Sequence, residues 1–288
     1  MKQANLHFVQ DEAGSFAFNT GVLKGALRQE GRSIGLVPVT YKEAGTEITD
    51  GEGLFNHYRV FTRGRRYGYG ARRWPSTAEL HRDGSVAVLW TVVPNDRPFE
   101  LQAIYSWAAP NTIDLVTVVY AEAKLEAFEV FLASYYQPRF IDSRVWASRD
   151  PHGGDKAGFV SADQELGEWL AFPRDEHGVE VIRDGRWDLE PHPLEWTMMP
   201  NFALPLAIRR DPGSGLTVMV MTQRDDCFGV FTPYGEERHY SNYMSFFGHD
   251  IEAGQSASAR SRLVVLSDPT DAEMLEIASE FLKVSSQI

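Results

Sequence analysis

Arginine and aromatic side chains are concentrated in one short stretch of the sequence, residues 53–74, which reads GLFNHYRVFTRGRRYGYGARRW. Arginine presents a planar fork of N–H donors, and tyrosine and tryptophan present flat apolar faces. A sugar uses both, because its hydroxyls accept hydrogen bonds while its C–H face packs on an aromatic ring. We therefore interpret this stretch as the wall of a site for a polar ligand. The alternative is a basic loop that packs its aromatic residues at the edge of the fold.

Alternation along this stretch predicts a strand with His57, Arg59 and Phe61 on one face and Tyr58 and Val60 on the other. Glycines then interrupt the pattern and allow the backbone to curl, so that long side chains converge on one point. The candidates from this stretch are one acid–base group, His57, and the substrate-binding residues Arg59, Arg66, Tyr67, Arg72 and Trp74.

A second group of polar and aromatic residues lies at 222–250, in TQRDDCFGVFTPYGEERHYSNYMSFFGHD. General acid–base catalysis needs a carboxylate and a partner, often histidine, that converge on one substrate atom. Glu237 and His239 are two residues apart and face the same way on an extended segment, whereas Asp226 also suits a turn. The candidates here are the acid–base groups His239, Asp226 and Glu237 and the substrate-binding residues Arg224 and Tyr240. We expect segments 57–74 and 222–243 to line one concave surface.

A third candidate region is EVFLASYYQPRF, residues 129–140, in which an apolar strand ends in polar-tipped aromatic residues. Tyr135 and Tyr136 are expected to line a ligand groove where the face of the sheet opens. They are equally compatible with an aromatic rim of the core. Both remain candidates for substrate binding.

The composition limits the classes of partner. A formal net charge of −12 argues against nucleic acid, because phosphate binding needs a basic face. Cys227 is the single cysteine, which excludes an internal disulfide and a cysteine-based zinc site. No metal signature stands out, and no apolar run approaches the roughly 18 residues of a membrane span. Because the N-terminus also lacks a signal-peptide pattern, we expect a cytoplasmic protein without metal or cofactor, either monomeric or homo-oligomeric.

Period-2 apolar patterns dominate the chain and indicate β-strands. These patterns lie at 15–21, 85–93, 100–107, 112–122, 127–136, 178–185, 204–211, 216–223, 227–234 and 258–266. Asp-Gly pairs in HRDGSV and IRDGRW predict hairpin turns. The least regular part is 148–177, which we interpret as an excursion with a helical turn near 161–170.

One helix is predicted at the C-terminus, at about 269–284. Ser267 or Asp268 can cap it, and Pro269 suits its first turn. An apolar stripe on this helix should pack on a sheet, and it comprises Met274, Leu275, Ala278, Phe281 and Leu282. Many strands without βαβ alternation imply antiparallel sheets. The sequence therefore predicts an all-β fold, a large antiparallel β-sandwich with one C-terminal α-helix, formed as a single domain over 1–288.

The layout over residues 5–266 resembles the galactose-mutarotase-like superfamily, whose members are β-supersandwiches that bind carbohydrate. The resemblance lies in FNTGVLKGALRQEGRSIGLVPV (18–39), in Asn56-His57 followed by a Gly/Arg-rich loop ending at Arg72, in SYYQPRF (134–140), and in HDIEAGQSASARSRLVVL (249–266). It implies a carbohydrate-active protein with a sugar as its ligand.

The catalytic positions of that superfamily are not reproduced. Its epimerases carry a histidine in the mid-chain aromatic motif, where this chain has Ser134-Tyr135-Tyr136. Their late general-base glutamate precedes a Thr-Gln-like pair, and Met221 stands at that place here. A sugar-binding relative with different chemistry, or with none, therefore fits better than a plain aldose 1-epimerase. Our first hypothesis is an epimerase, or a hydrolase or lyase on the same scaffold, that acts on a polar or acidic sugar through histidine and carboxylate groups. The alternatives are a non-catalytic carbohydrate-binding domain and an assembly protein whose arginines meet an acidic partner.

Overall fold

The computed structural model describes residues 6–234 and 239–284. Its strands are numbered along the chain. The first ten are β1 (Val9–Gln10), β2 (Phe16–Asn19), β3 (Leu23–Arg28), β4 (Gly35–Tyr41), β5 (Thr46–Glu47), β6 (Asn56–Thr62), β7 (Arg65–Arg66), β8 (Thr77–Leu80), β9 (Val86–Trp90) and β10 (Phe99–Ala109). The others are β11 (Thr112–Ala121), β12 (Leu125–Tyr135), β13 (Asp142–Ala147), β14 (Gly158–Ser161), β15 (Trp169–Pro173), β16 (Thr197–Met198), β17 (Phe202–Arg210), β18 (Leu216–Thr222), β19 (Cys227–Pro233), β20 (Ser241–Ile251) and β21 (Ser256–Ser267).

These strands form three sheets. A five-stranded sheet has the order β1-β2-β3-β4-β5, and a nine-stranded sheet has the order β14-β13-β17-β18-β21-β11-β10-β9-β8. A seven-stranded sheet has the order β16-β15-β19-β20-β12-β6-β7. All strand pairs are antiparallel except β15 with β16. The fold is therefore an all-β sandwich of large antiparallel sheets, as the alternating sequence predicts.

The two larger sheets pack face to face, and the pleat divides each strand between two environments. On β12, Val130 and Leu132 enter the core between the sheets, whereas Phe131 and Ala133 enter a second, mostly aromatic cluster on the opposite face. That outer face of the seven-stranded sheet is covered by residues 174–198. The covering segment contains the helix α1 (Glu176–Ile182) and a 3₁₀ turn at Arg186–Asp188.

The predicted strand at 178–185 is wrong, because α1 occupies most of it. The Asp175 carboxylate accepts a hydrogen bond from the Gly178 amide at 2.9 Å and thereby caps the helix. The predicted helical turn near 161–170 is also wrong, since β15 begins at Trp169. A period-2 pattern as short as that of 178–185 is compatible with one face of a short helix, and the cap is the signal that separates the two.

The C-terminal helix α2 (Asp271–Val284) forms as predicted. Its cap is Thr270, and not Ser267 or Asp268 as predicted: the Glu273 amide donates to Thr270 Oγ1 at 3.3 Å, and the Thr270 amide donates to the Glu273 carboxylate at 2.8 Å. Met274, Ala278 and Phe281 pack on the outer face of the nine-stranded sheet against Met219 and Met221, among others. No helix in the described part of the chain is long and apolar enough to cross a membrane.

We predict that Phe281→Ala lowers the free energy of unfolding by about 3–5 kcal/mol, because the ring is buried against the sheet and its loss leaves a cavity. Urea unfolding measures the change. Glu276→Ala, at an exposed position of the same helix, is the matched control and should change stability by less than about 0.5 kcal/mol. A loss below about 1 kcal/mol for Phe281→Ala would contradict the packing described for α2.

Candidate functional site

A cavity of about 290 Å³ opens on the outer face of the seven-stranded sheet. Strands β6, β12, β15 and β20 form its floor and wall, and the covering segment closes one side. The residues that line it are Tyr58, Arg59, Phe131, Tyr135, Trp169, His192, Leu194, His239 and Tyr243. Two segments far apart in the sequence, 57–74 and 222–243, thus contribute side chains to one cavity.

A β-bulge decides which residues of β6 reach this cavity. Arg59 pairs with Phe131 and His57 pairs with the next residue of β12, Leu132, so that Tyr58 is an extra residue in the ladder. The bulge places both Tyr58 and Arg59 at the cavity. It turns His57 to the opposite face, away from Arg59, and this differs from the alternation that the sequence predicts.

His57 consequently lies in the core. Its Nε2 atom is 2.9 Å from Thr117 Oγ1 on the facing sheet, and its ring packs on Trp90 with 5.2 Å between centroids. Burial lowers the pKa of His57 to about 3. The imidazole is therefore neutral and has no route to a ligand in the cavity.

Arg59 is the most unusual residue of the site. Only 4% of it is exposed, and its Nε and Nη1 atoms have no hydrogen-bond partner among the described residues. Its guanidinium lies over the rings of Tyr58 and Trp187, at 5.4 and 5.2 Å from their centroids. Aromatic faces attract the cation, but they supply much less than the hydrogen bonds that a buried guanidinium loses.

Arg72 also packs against Tyr58, a residue of the cavity lining. Its guanidinium is 4.2 Å from the centroid of the Tyr58 ring, and its Nη1 atom is paired with the Glu52 carboxylate. Tyr58 therefore contacts two guanidinium groups, of which one has a carboxylate partner. Burial lowers the pKa of Arg72.

Arg66 binds the covering segment rather than the cavity. Its Nη1 atom donates to the carbonyl oxygens of Pro191 and of Leu189, the latter at 3.4 Å. These bonds hold the backbone on either side of Glu190, directly before the cavity residue His192. Burial, and then the positive charge of Arg59, lower the pKa of Arg66 to about 10.

A buried ion pair fixes the covering segment to the sheet. Arg186 and Glu129 are both fully buried, and their Nη1 and Oε2 atoms are 2.7 Å apart. Arg186 also donates to Asp184 at 2.9 and 2.7 Å and to the carbonyl of Ala127 at 3.0 Å. The second oxygen of Glu129 accepts from the Ser245 hydroxyl at 2.6 Å. Burial raises the pKa of Glu129, and the Arg186 guanidinium opposes the rise.

Hydroxyl groups line one wall of the cavity. Ser241 Oγ donates to the Tyr243 hydroxyl at 2.7 Å, which lies 3.5 Å from the Tyr135 hydroxyl. The edge of the Tyr135 ring packs on Tyr58 with 5.7 Å between centroids. Burial raises the pKa of Tyr243, and burial together with Tyr243 raises that of Tyr135 well above the ordinary value. Both phenols are neutral at physiological pH and offer O–H donors.

His239 stands at the open side of the cavity. Its ring packs edge-on against Trp169 with 5.1 Å between centroids. Its carbonyl lies 3.5 Å from an Nη atom of the fully buried Arg209, which also donates to the carbonyls of Pro233 at 3.1 Å and Ser241 at 2.7 Å. Arg209 thereby joins the end of β19 to the start of β20 and fixes the backbone that carries the imidazole.

Asp50 is the described carboxylate whose charge interacts with His239. Burial raises the pKa of Asp50 from the ordinary 3.8 to about 6, while His239 and a backbone bond from Gly53 oppose the rise. Its Oδ1 atom accepts from the Glu52 amide at 2.8 Å. A carboxyl group and an imidazole are the two kinds of group that general acid–base catalysis commonly uses.

Three aromatic residues predicted to bind substrate lie in or against the core between the sheets. Tyr67 is 5% exposed and packs on Phe99 with 5.0 Å between centroids. Trp74 packs against the same core under the Arg97 guanidinium, which is 4.0 Å from its ring centroid. Tyr136 is 1% exposed and donates to the side chain of Asn242 at 2.9 Å.

Three further predicted residues, all within the described ranges, also lie outside the cavity lining. Arg224 is exposed and donates to the Ala203 carbonyl at 3.0 Å. Asp226 lies in the turn between β18 and β19, where it accepts from the Arg260 amide at 2.8 Å. Tyr240 packs against the inner core. Glu237 lies outside the described residues.

Sequence patterns missed several residues of the site. Trp169 lies in the stretch interpreted as irregular, and His192 lies outside the three candidate regions of the sequence. Asp50 follows a short strand with no motif around it. What these residues share is that they lie near Arg66 or His239 in space. A single sequence does not contain this information.

A larger open groove, of about 1020 Å³, lies beside α1. Its charged side chains have both signs, among them Arg149, Arg183, Asp150 and Glu176. None of the described residues that line it has a buried side-chain polar atom without a hydrogen-bond partner. The smaller cavity, in which Arg59 does, is therefore the candidate functional site. No group of three or more histidine, cysteine, aspartate and glutamate residues in the described ranges is arranged to hold a metal ion.

The chain is similar to known proteins in its fold and not in its sequence. No family model and no curated protein matches the sequence. Among solved structures, the Slr1438 protein from Synechocystis sp. PCC 6803 is 13% identical with a TM-score of 0.55, covering 91% of this chain and 99% of that chain. The α-N-acetylgalactosaminidase NagBb from Bifidobacterium bifidum, in complex with GalNAc, is 10% identical with a TM-score of 0.53, covering 99% of this chain and 38% of that chain.

A GalM/aldose epimerase homologue from C. elegans is also among the similar structures. It is 9% identical with a TM-score of 0.49, covering 92% of this chain and 100% of that chain. The structural neighbours thus include aldose-epimerase-like proteins and a glycosidase. At these identities the first two comparisons show a shared fold.

We predict that Arg66→Lys loosens the covering segment, because lysine cannot bond two carbonyls with one planar fork. The amide of Leu194, which donates to the Trp187 carbonyl at 2.9 Å, should lose about 1.5 kcal/mol of protection in hydrogen exchange. Arg63→Lys, at an exposed arginine of the same stretch, is the control and should leave it unchanged. Equal protection in both variants would show that Arg66 does not hold the segment.

We predict that Asp50→Asn alters the pH dependence of stability. Because the folded-state pKa is raised to about 6, the native protein keeps a proton between about pH 4 and 6 that the unfolded chain has lost. The contribution of Asp50 is therefore greatest below about pH 4 and declines as the pH rises to about 6. Urea unfolding at several pH values should show the wild type losing stability over this range relative to Asp50→Asn. Parallel profiles would refute the raised pKa, and Asp155→Asn, an exposed site, is the control.

Proposed function

We propose that this protein is a carbohydrate-active enzyme of the galactose-mutarotase-like type, which binds a polar monosaccharide in the cavity and acts on it by acid–base chemistry. The observation that carries the proposal is the buried Arg59, two of whose nitrogens have no hydrogen-bond partner within 6–234 and 239–284, in a cavity walled by aromatic rings and tyrosine hydroxyls. Such walls suit a pyranose, because the rings take its C–H face and the N–H and O–H groups take its hydroxyls.

The size of the cavity supports a small ligand. About 290 Å³ is at the lower end of the roughly 300–1,000 Å³ of small-molecule sites, so one sugar ring fits better than an oligosaccharide. The fold adds support, because the Bifidobacterium bifidum neighbour is a glycosidase in complex with a monosaccharide.

His239 is the proposed acid–base residue. Opening a pyranose requires one group that takes the proton of the anomeric hydroxyl and another that gives a proton to the ring oxygen. His239 lines the cavity, and Asp50 is coupled to it electrostatically. Glu237, two residues before His239, stays a candidate for the carboxylate from its position in the sequence. Asp226 and His57 are not part of the proposal.

The alternative function is a non-catalytic carbohydrate-binding domain, which would use the same aromatic and arginine walls. The two differ in whether a bound sugar is converted. The feature that supports the enzyme is an imidazole, His239, that lines the cavity and interacts electrostatically with the partly buried carboxyl group of Asp50, because titratable groups with shifted pKa values are concentrated at catalytic sites.

The test is a panel of monosaccharides, with binding measured by calorimetry and anomer interconversion or epimerisation followed by proton NMR. We predict that His239→Gln lowers kcat for the converted sugar by about 10²–10⁴-fold with a small change in affinity, because a proton-transfer group is lost while the walls remain. His152→Gln, at an exposed histidine elsewhere, is the control. Binding without conversion of any sugar by the wild type would favour the non-catalytic alternative, and no binding at all would refute both.

A further inference from the structure

The charges around the cavity do not balance. Arg59, Arg66 and Arg72 lie close together, and Arg72 has a carboxylate partner, Glu52. Arg66 is bonded to backbone carbonyls. Two guanidinium nitrogens of Arg59 have no hydrogen-bond partner in the part of the chain that the structure describes. None of the described residues that line the cavity is an aspartate or glutamate.

An unpaired guanidinium at 4% exposure is costly to the folded protein. Transfer of a charged group out of water carries a large penalty unless a counter-charge and hydrogen bonds replace the solvent. The charge of Arg59 is, after burial, a cause of the lowered pKa of Arg66, so repulsion between the two cations adds to the cost. The rings of Tyr58 and Trp187 offset only a part of it.

We propose that the sugar bound in this cavity carries an anionic group, a carboxylate or a phosphate, and that Arg59 is its counter-ion. The inference rests on the proposed function and narrows it to acidic or phosphorylated monosaccharides. An oxyanion supplies at once the charge and the acceptor atoms that Arg59 lacks, and guanidinium binds carboxylate and phosphate through paired N–H···O bonds. A neutral hydroxyl supplies an acceptor without the charge.

The geometry of Arg59 is suited to discrimination. The packing of its guanidinium against Tyr58 and Trp187, and the anchoring of the covering segment by Arg186, hold the donors in place before the ligand binds. A preorganised donor group gains more from its ligand than a mobile one, because less side-chain entropy is lost on binding. The unpaired guanidinium destabilises the ligand-free protein, and such a loss of stability is common at functional sites.

The first experiment compares matched ligands on the wild-type protein. Calorimetry is run with glucose, glucuronate and glucose 6-phosphate, and with galactose and galacturonate. We expect the anionic member of at least one pair to bind roughly tenfold to hundredfold more tightly than the neutral sugar, in line with a charged hydrogen bond. Comparison of the uronates with glucose 6-phosphate shows whether the site prefers a carboxylate or a phosphate. Neutral sugars that bind as tightly as every anionic partner would overturn the inference and leave the proposed function intact.

The second experiment removes the charge. Arg59→Met keeps most of the side-chain volume, so the protein should show an unchanged or raised Tm together with loss of the preference for the anionic sugar. Arg59→Lys should keep part of the preference, because the charge stays and the planar fork is lost. Arg224→Met, at an exposed arginine outside the cavity, should keep the full preference. An Arg59→Met protein with a lowered Tm and an unchanged preference would show that Arg59 is a structural residue.

Acetate and inorganic phosphate are the probes for the anion alone. We expect both to bind more weakly than the matching sugar derivatives, since the aromatic walls then have no ring to contact. Simple anions that bind as tightly as the sugar derivatives would support an anion site at Arg59 and would contradict a sugar as the ligand. Failure of every sugar and both anions to bind would overturn the inference and the proposed function together.

Discussion

The buried ion pair between Arg186 and Glu129 is the contact on which the site depends. It joins the covering segment to the centre of the seven-stranded sheet at 2.7 Å, with both partners fully buried. A buried pair of this kind adds little net stability compared with an apolar contact, but the loss of one partner is costly. Its effect here is positional, because it fixes the 3₁₀ turn that carries Trp187 and, through it, the approach of His192 and Leu194 to the cavity.

A second buried arginine, Arg209, also fixes the position of the backbone next to the cavity, at β19 and β20. Arg209 forms no ion pair with a carboxylate of the described residues and donates instead to backbone carbonyls, including those of Pro233 and Ser241. Burial lowers its pKa to about 10, which still leaves it charged at physiological pH. Since these carbonyls mark the end of β19 and the start of β20, the cation fixes the spacing of the strands that flank His239.

Arg59 differs from both of these residues. The structure satisfies the guanidinium groups of Arg186 and Arg209 with oxygen acceptors, whereas two nitrogens of Arg59 have none among the described residues. This contrast is the physical basis on which we propose Arg59, and not Arg186 or Arg209, as a binding residue, since a buried donor without a partner calls for an explanation such as a ligand that supplies the acceptor. It also explains why the arginine-rich stretch 53–74 divides into residues that hold the protein together and one that faces the cavity.

The sequence by itself determined the all-β class, most of the strands and the C-terminal helix, because alternation and helical periodicity report local burial. From the mix of arginine, tyrosine and histidine that the two segments share, the sequence also predicted that 57–74 and 222–243 converge. It also identified Arg59 and His239, which line the cavity. Only the tertiary structure decided that His57 lies in the core, since the bulge at Tyr58 depends on the register with β12. Only the tertiary structure decided, likewise, that the buried carboxylate of Glu129 pairs with Arg186. The two residues are 57 positions apart, and their pairing leaves no periodic signal in the chain.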